Sequence, residues 1–207
     1  MSVTSPHAPG PRANQGGGAA IEFALVVLFF LTLVFGILEV ARAMYICNTL
    51  QEVTRRAAAQ AANTDFSDSA AMQRVREYGV LRDSPGFLAF AEPVTDANVR
   101  IDYMAITAGA NGPALAEIPS GSLPGSPAQN RLVCMSNPNA PDCIRLVRVR
   151  VCMTGGGADC NRIPYQSIVS LVPLPFPLPD AVTIVTAETL GLPPGLPPPP
   201  AAPPCGC

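Results

Sequence analysis

The sequence predicts an α+β protein: a long N-terminal helix, then a small antiparallel-sheet domain tied by disulfides, then a Pro-rich tail. Three observations carry that reading. Residues 19–38 are almost unbroken hydrocarbon. Three later stretches have the composition or alternation of half-buried strands. Six of the seven cysteines fall between Cys134 and Cys207. The 207 residues suffice for one membrane helix and one domain. Composition divides them into a polar start (1–15), a helix from about 19 to 62, a domain (63–190) and a tail (191–207).

The chain opens on MSVTSPHAPGPRANQ, which is polar, has no acidic residue and reads as disordered. Arg12 and the terminal amine weakly favour an N-in orientation across a membrane. The run Ala19–Leu38 is interrupted only by Glu22, Thr32 and Gly36. Twenty such residues make a helix about 30 Å long, the thickness of a bilayer's hydrocarbon core. Glu22 lies one turn inside, where a lone carboxylate costs on the order of 2–4 kcal/mol and is read as functional. Ala41-Arg42-Ala43 raises a rival reading, a secretory signal cut after Ala43. The apolar run is about twice the usual signal length, which counts against it.

Helix continues beyond the apolar run. From Glu39 to Ala62 there is neither Pro nor Gly, and good helix formers dominate. Ile46, Leu50, Val53 and Ala57 recur at helical spacing, a stripe against which the following domain packs. Glu52 and Arg56 form an i, i+4 pair. Asn63–Asp65 end this helix. Asp65 or Ser67 caps a second one through Tyr78, with Met72, Val75 and Tyr78 on its apolar side, and Gly79 ends it. Asp65-Phe66-Ser67-Asp68-Ser69 also matches a metal-ligating D-x-S-x-S loop. That loop follows a buried strand, whereas AAAQAANT here reads as helix, so capping is the better account.

Asp83-Ser84-Pro85-Gly86 is a turn, and the strand-like runs follow: Asn98–Ile106, Ile144–Met153 and Ala181–Leu190. They fit an antiparallel sheet with one wet face. Arg145, Arg148 and Arg150 belong to that face rather than to an anion site. The connections Gly109–Pro127 and Pro173–Pro179 read as proline-broken loops. The last seventeen residues form a polyproline-type extension ending in Cys205 and Cys207.

Cys134, Cys143, Cys152 and Cys160 stand eight or nine residues apart. Zinc knuckles use pairs about two to four apart, and the single histidine, His7, lies far away. Disulfides in an oxidising compartment are the expectation, with no metal. A net charge of −2 and a pI near 5.3 give no nucleic-acid footprint. No nucleophile elbow or phosphate loop occurs: Gly155-Gly156-Gly157 lacks the Lys-Ser/Thr that should follow. Glu77, Asp102 and Glu117 carry no pairing signal. Neither enzymatic activity nor a cofactor is expected.

Gly16-Gly17-Gly18-Ala19-Ala20-Ile21-Glu22-Phe23-Ala24-Leu25-Val26-Val27-Leu28, with Gly36-Ile37-Leu38-Glu39-Val40-Ala41-Arg42 further on, resembles the N-terminus of TadE-like proteins. These are the minor pseudopilins of tight-adherence (Flp, type IVc) pilus systems. Leu28 departs from the family, which often has proline there. The resemblance implies a pilin-like layout and cleavage by a prepilin peptidase between Gly17 and Gly18, which makes 1–17 a leader and 18–62 the mature helical segment. Glu22 then becomes the fifth mature residue, and Phe23 belongs to the recognition motif. Glu22 of one subunit would pair with the new amine of a neighbour and set register. The implied partners are the peptidase, other pilins and pseudopilins, the inner-membrane assembly platform and membrane lipid. The implied location is the inner membrane, single-pass and N-in with the domain exported, or an extracellular pilus. The alternative is a signal-anchored or secreted envelope binding protein unrelated to pili.

Overall fold

The structure is a computed structural model that describes residues 16–109, 112–155, 159–169 and 174–192. The expected disordered leader through residue 15 and the tail with Cys205 and Cys207 lie outside the described residues. Of the described residues, 16–41 and 167–169 form one compact unit and the remainder form a second.

Helix α1 spans Gly16–Ala61 without a break. Leu28 sits inside it, and its carbonyl accepts a 2.8 Å hydrogen bond from the Thr32 hydroxyl as well. In the first unit the large apolar side chains of α1 are mostly exposed, Phe29 at 76%. In the second unit Ile46, Leu50, Val53 and Ala57 are 0–1% exposed. The amphipathic spacing predicts that stripe, and the domain core forms on it.

The turn after α1 is built by acidic caps. The Asp65 carboxylate accepts from the Ser67 backbone at 2.8 Å. Asp68 accepts from the N–H groups of Ala70 and Ala71 and caps helix α2, Ser69–Gly79. The cap is therefore Asp68, one residue beyond Ser67, because its carboxylate reaches two orphan N–H groups at once. Met72 and Val75 are buried as their spacing predicts, whereas Tyr78 is 51% exposed. Gly79 closes the helix, and a side chain there would start 3.0 Å from the Ala57 Cβ. Its hydrogen lets the end of α2 approach α1.

Four antiparallel strands follow: β1 Val99–Gly109, β2 Gly112–Glu117, β3 Leu146–Val151 and β4 Val182–Thr186, in the order β2-β1-β3-β4. Ile101 pairs with Val149, which pairs with Thr183. This face turns inward, and the Thr183 hydroxyl shares a 2.9 Å hydrogen bond with that of Thr54 on α1. Tyr103 is buried on the same face with its ring against Phe66, and burial pushes its phenol well above its usual pKa.

Two elements exceed the expected plan. Strand β2 lies in the stretch read as a proline-broken loop. Its Pro113 is tolerated because β2 is an edge strand. Helix α3, Pro127–Ser136, has Ser126 as N-cap, accepting from the Gln129 N–H at 3.2 Å, and proline in its first turn. Buried Asn130 accepts from the Ile144 N–H at 2.8 Å and donates to the Ile144 carbonyl at 3.3 Å. Disulfides join Cys134 to Cys143 and Cys152 to Cys160. The first ties α3 to the lead-in of β3, and the second ties the exit of β3 to the following loop. Cys47 is the free cysteine among the described residues.

Candidate functional site

The residues expected to carry processing and assembly lie in the first turns of α1. Gly17 and Gly18 are open, with nothing within 4 Å of where a side chain would begin. Glu22 and Phe23 are exposed, Phe23 at 70%. Gly18 and Glu22 are four residues apart, so they share one face of the helix. An 18-residue window of α1 has a mean hydropathy of 2.7, and none of it is buried. Such a surface, with its backbone fully paired inside the helix, is suited to lipid or to other apolar helices.

The exit motif Gly36–Arg42 makes contacts that sequence reasoning did not assign. In the first unit Glu39 is 3% exposed, and its carboxylate accepts from the Ile168 N–H at 3.2 Å. In the second unit Arg42 donates to three acceptors: the Phe90 carbonyl at 2.8 Å, the Gln166 carbonyl at 2.7 Å and the Tyr165 hydroxyl at 3.1 Å. Its guanidinium also lies 5.2 Å from the Tyr165 ring centroid, and Tyr165 stacks on Phe176 at 4.8 Å. Two distant loops of the second unit are thus fastened to Arg42. Nothing in the spacing of Arg42 signals this, because its partners are mostly backbone carbonyls.

The open sheet face holds a charge network. Asp102, its side chain 6% exposed, accepts from Arg100 at 2.7 Å, Arg150 at 2.6 Å and Arg148 at 3.1 Å. Glu117 on β2 accepts from Arg100 at 3.0 Å and also from Arg148. Burial pulls the Asp102 carboxyl upward, but hydrogen bonds and charge from Arg100 and Arg150 outweigh it and leave it below the usual range. The acids that carry no pairing signal in one dimension are therefore paired. Arg100-x-Asp102 and Arg148-x-Arg150 each follow the period of a single strand face, and register brings them together. Arg145 lies outside β3, is exposed, and donates to the Pro138 carbonyl at 3.2 Å. With three guanidiniums committed to two carboxylates, the network reads as structural.

No array of nucleophile, base and oxyanion donor occurs among these features, and the four paired cysteines are not thiolates that could hold a metal. What the fold and site define, among the described residues, is one candidate membrane-anchoring helix and a disulfide-tied antiparallel domain. Residues 17–59 match the family described as TadE-like protein, a likeness confined to the helical segment. The match lies inside α1 and includes Gly17, Gly18, Glu22, Glu39 and Arg42, but none of the sheet. No curated protein and no solved structure matches the chain.

Proposed function

We propose that this chain is a minor pseudopilin, a structural subunit for the assembly or tip of a Tad (Flp) pilus. The observation that carries the reading is the coincidence of the TadE-like match with α1. Within that match Glu22 is the only charged residue of the apolar run 19–38. A prepilin peptidase cuts between Gly17 and Gly18, at glycines whose surroundings are open. The chain itself is the substrate, and the chemistry belongs to the peptidase. The new amine of Gly18 neutralises Glu22 of a neighbouring subunit, so a carboxylate that is costly in lipid becomes a register mark between helices.

The helix spans the inner membrane with its N-terminus in the cytoplasm, and the domain lies in the oxidising compartment that its two disulfides require. The assembly platform and other pilins are its partners. Cleavage after Ala43 is disfavoured on physical grounds, because it would remove Arg42 from the carbonyls of Phe90 and Gln166.

The test is the mature N-terminus, read by mass spectrometry after co-expression with a matching prepilin peptidase. A chain beginning at Gly18 is the expected result. One beginning at Met44 would make this a secreted protein, and an uncut chain would make it a plain membrane anchor. Either would overturn the pseudopilin reading.

A further inference from the structure

Residues 86–91, Gly-Phe-Leu-Ala-Phe-Ala, form an uncharged loop in the second unit. Leu88 and Ala91 point into the core at 0–1% exposure, whereas Phe87 is 51% exposed and Phe90 is 77% exposed. Phe90 also has a φ of 57°, the left-handed region that a bulky side chain avoids. Such a conformation persists only where its surroundings enforce it, and here they are on the page. The Phe90 carbonyl accepts from Arg42, and its ring meets Tyr45 edge-on at 6.5 Å. The loop is therefore held so that it presents an aromatic side chain to its surroundings instead of burying it.

Position along α1 indicates what those surroundings are. Arg42 and Tyr45 follow Leu38, the last residue of the apolar run, by four and seven residues. At the helical rise that is about 6 and 10 Å beyond the end of the hydrocarbon span. A headgroup layer is about 5–8 Å deep on each side of the bilayer, so Arg42 falls within it and Tyr45 at its outer edge, with a side chain that leans back toward the helix N-terminus. Tyr and Trp rings concentrate at that depth, and Phe side chains of interfacial segments insert at the headgroup and acyl boundary. We propose that Phe90, fixed by Arg42 and Tyr45, is an interfacial anchor seated in the headgroup layer of the membrane that α1 crosses. The occupant of this surface is lipid. The loop brings no charge that would resist insertion. The inference rests on the membrane-spanning part of the proposed function and adds a second membrane contact, outside the helix.

The chain contains no tryptophan, so a single introduced tryptophan reports its own depth. The full chain carrying Phe90→Trp, and separately Phe30→Trp, would be reconstituted into phosphatidylcholine–phosphatidylglycerol vesicles. The lipid would be unmodified, or brominated near the headgroup or near the end of the acyl chain. For Phe90→Trp the expectation is a loss of most emission with the shallow bromines and little loss with the deep ones. Absence of quenching by either overturns the anchor. Red-shifted emission in that case would mean that water covers the ring, and blue-shifted emission that a second copy covers it. Phe30→Trp separates the two readings. Deep quenching there with none at Phe90 removes the anchor and leaves the span, whereas no quenching at either position removes both.

Discussion

The two halves of α1 use the same residue types for opposite ends. From Ile21 to Leu38 apolar residues surround the helix on every side, and most of them are exposed. From Ala43 to Ala61 they form a stripe, and every residue of that stripe is buried by protein. Hydrophobicity alone does not separate these fates. The angular distribution does: an all-round apolar helix asks for lipid or a helical bundle, whereas a stripe asks for one packed face. The changeover falls at Glu39 and Arg42, where charged side chains stop facing the surroundings and bind loop backbone instead.

The largest effect that would sharpen this contrast is expected at Glu22. In Glu22→Ala, membrane insertion should persist while incorporation into pili falls by a factor of about 100 or more, as loss of one member of a buried pair implies. Quantitative blotting of membrane and sheared-pilus fractions measures both. Equal incorporation of mutant and wild type would remove the register argument. Next comes a paired comparison within the helix. Leu50→Ala, at 1% exposure, should cost the domain about 2–5 kcal/mol in urea unfolding. Phe29→Ala, at 76% exposure, should leave domain unfolding unchanged. If the two variants unfold alike, the division of the helix is wrong.

The disulfides and the charge network belong to the domain alone, so their removal should leave the apolar half inserted. Cys152→Ser with Cys160→Ser opens a loop with a sequence separation of 8, which chain entropy values at about 2.5 kcal/mol. Non-reducing electrophoresis followed by urea unfolding tests it. Asp102→Asn leaves three guanidiniums around a neutral amide and should cost about 2 kcal/mol, less than a fully buried pair because the arginines retain some solvent. The pH dependence has a defined sign. The Asp102 carboxyl is depressed in the folded state, so its contribution is fully present above the unfolded value near about 4. It is lost as pH falls further, through the folded value. Wild type should therefore lose stability below about pH 4 more steeply than Asp102→Asn.

How much was legible follows from the range of each signal. The apolar run, the stripe through Leu50, the alternating strands and the cysteine spacing are local or periodic, and the fold displays all of them. Strand β2 was hidden because Pro113 and a run of alanine and glycine resemble a loop, and only pairing with β1 makes them a strand. Helix α3 was legible in principle, since Ser126-Pro127 is a helix-start signal, but the proline-rich surroundings masked it. The Asp102 network and the Arg42 clamp depend on register and on backbone carbonyls, which a one-dimensional pattern does not display. The proposed processing site shows the reverse. Its residues are conspicuous in sequence because little in the fold accounts for them: open glycines and a carboxylate with no burial to explain it.

The smallest effect tests whether the outer side of the second half is as neutral as its exposure implies. Glu52 and Arg56 pair at 2.6 Å with side chains 46% and 41% exposed. An exposed i, i+4 pair contributes only about 0.3–0.5 kcal/mol, and salt screens it. Glu52→Gln should therefore shift the urea midpoint barely beyond error at low salt and not at all at high salt. A loss several times larger would mean that this side also packs against something, and that the stripe is not the only buried face of the helix. A double-mutant cycle with Arg56→Gln separates the two cases. A coupling as small as the pair itself keeps the face solvent-exposed, whereas a large loss with no coupling places Glu52 against a partner other than Arg56.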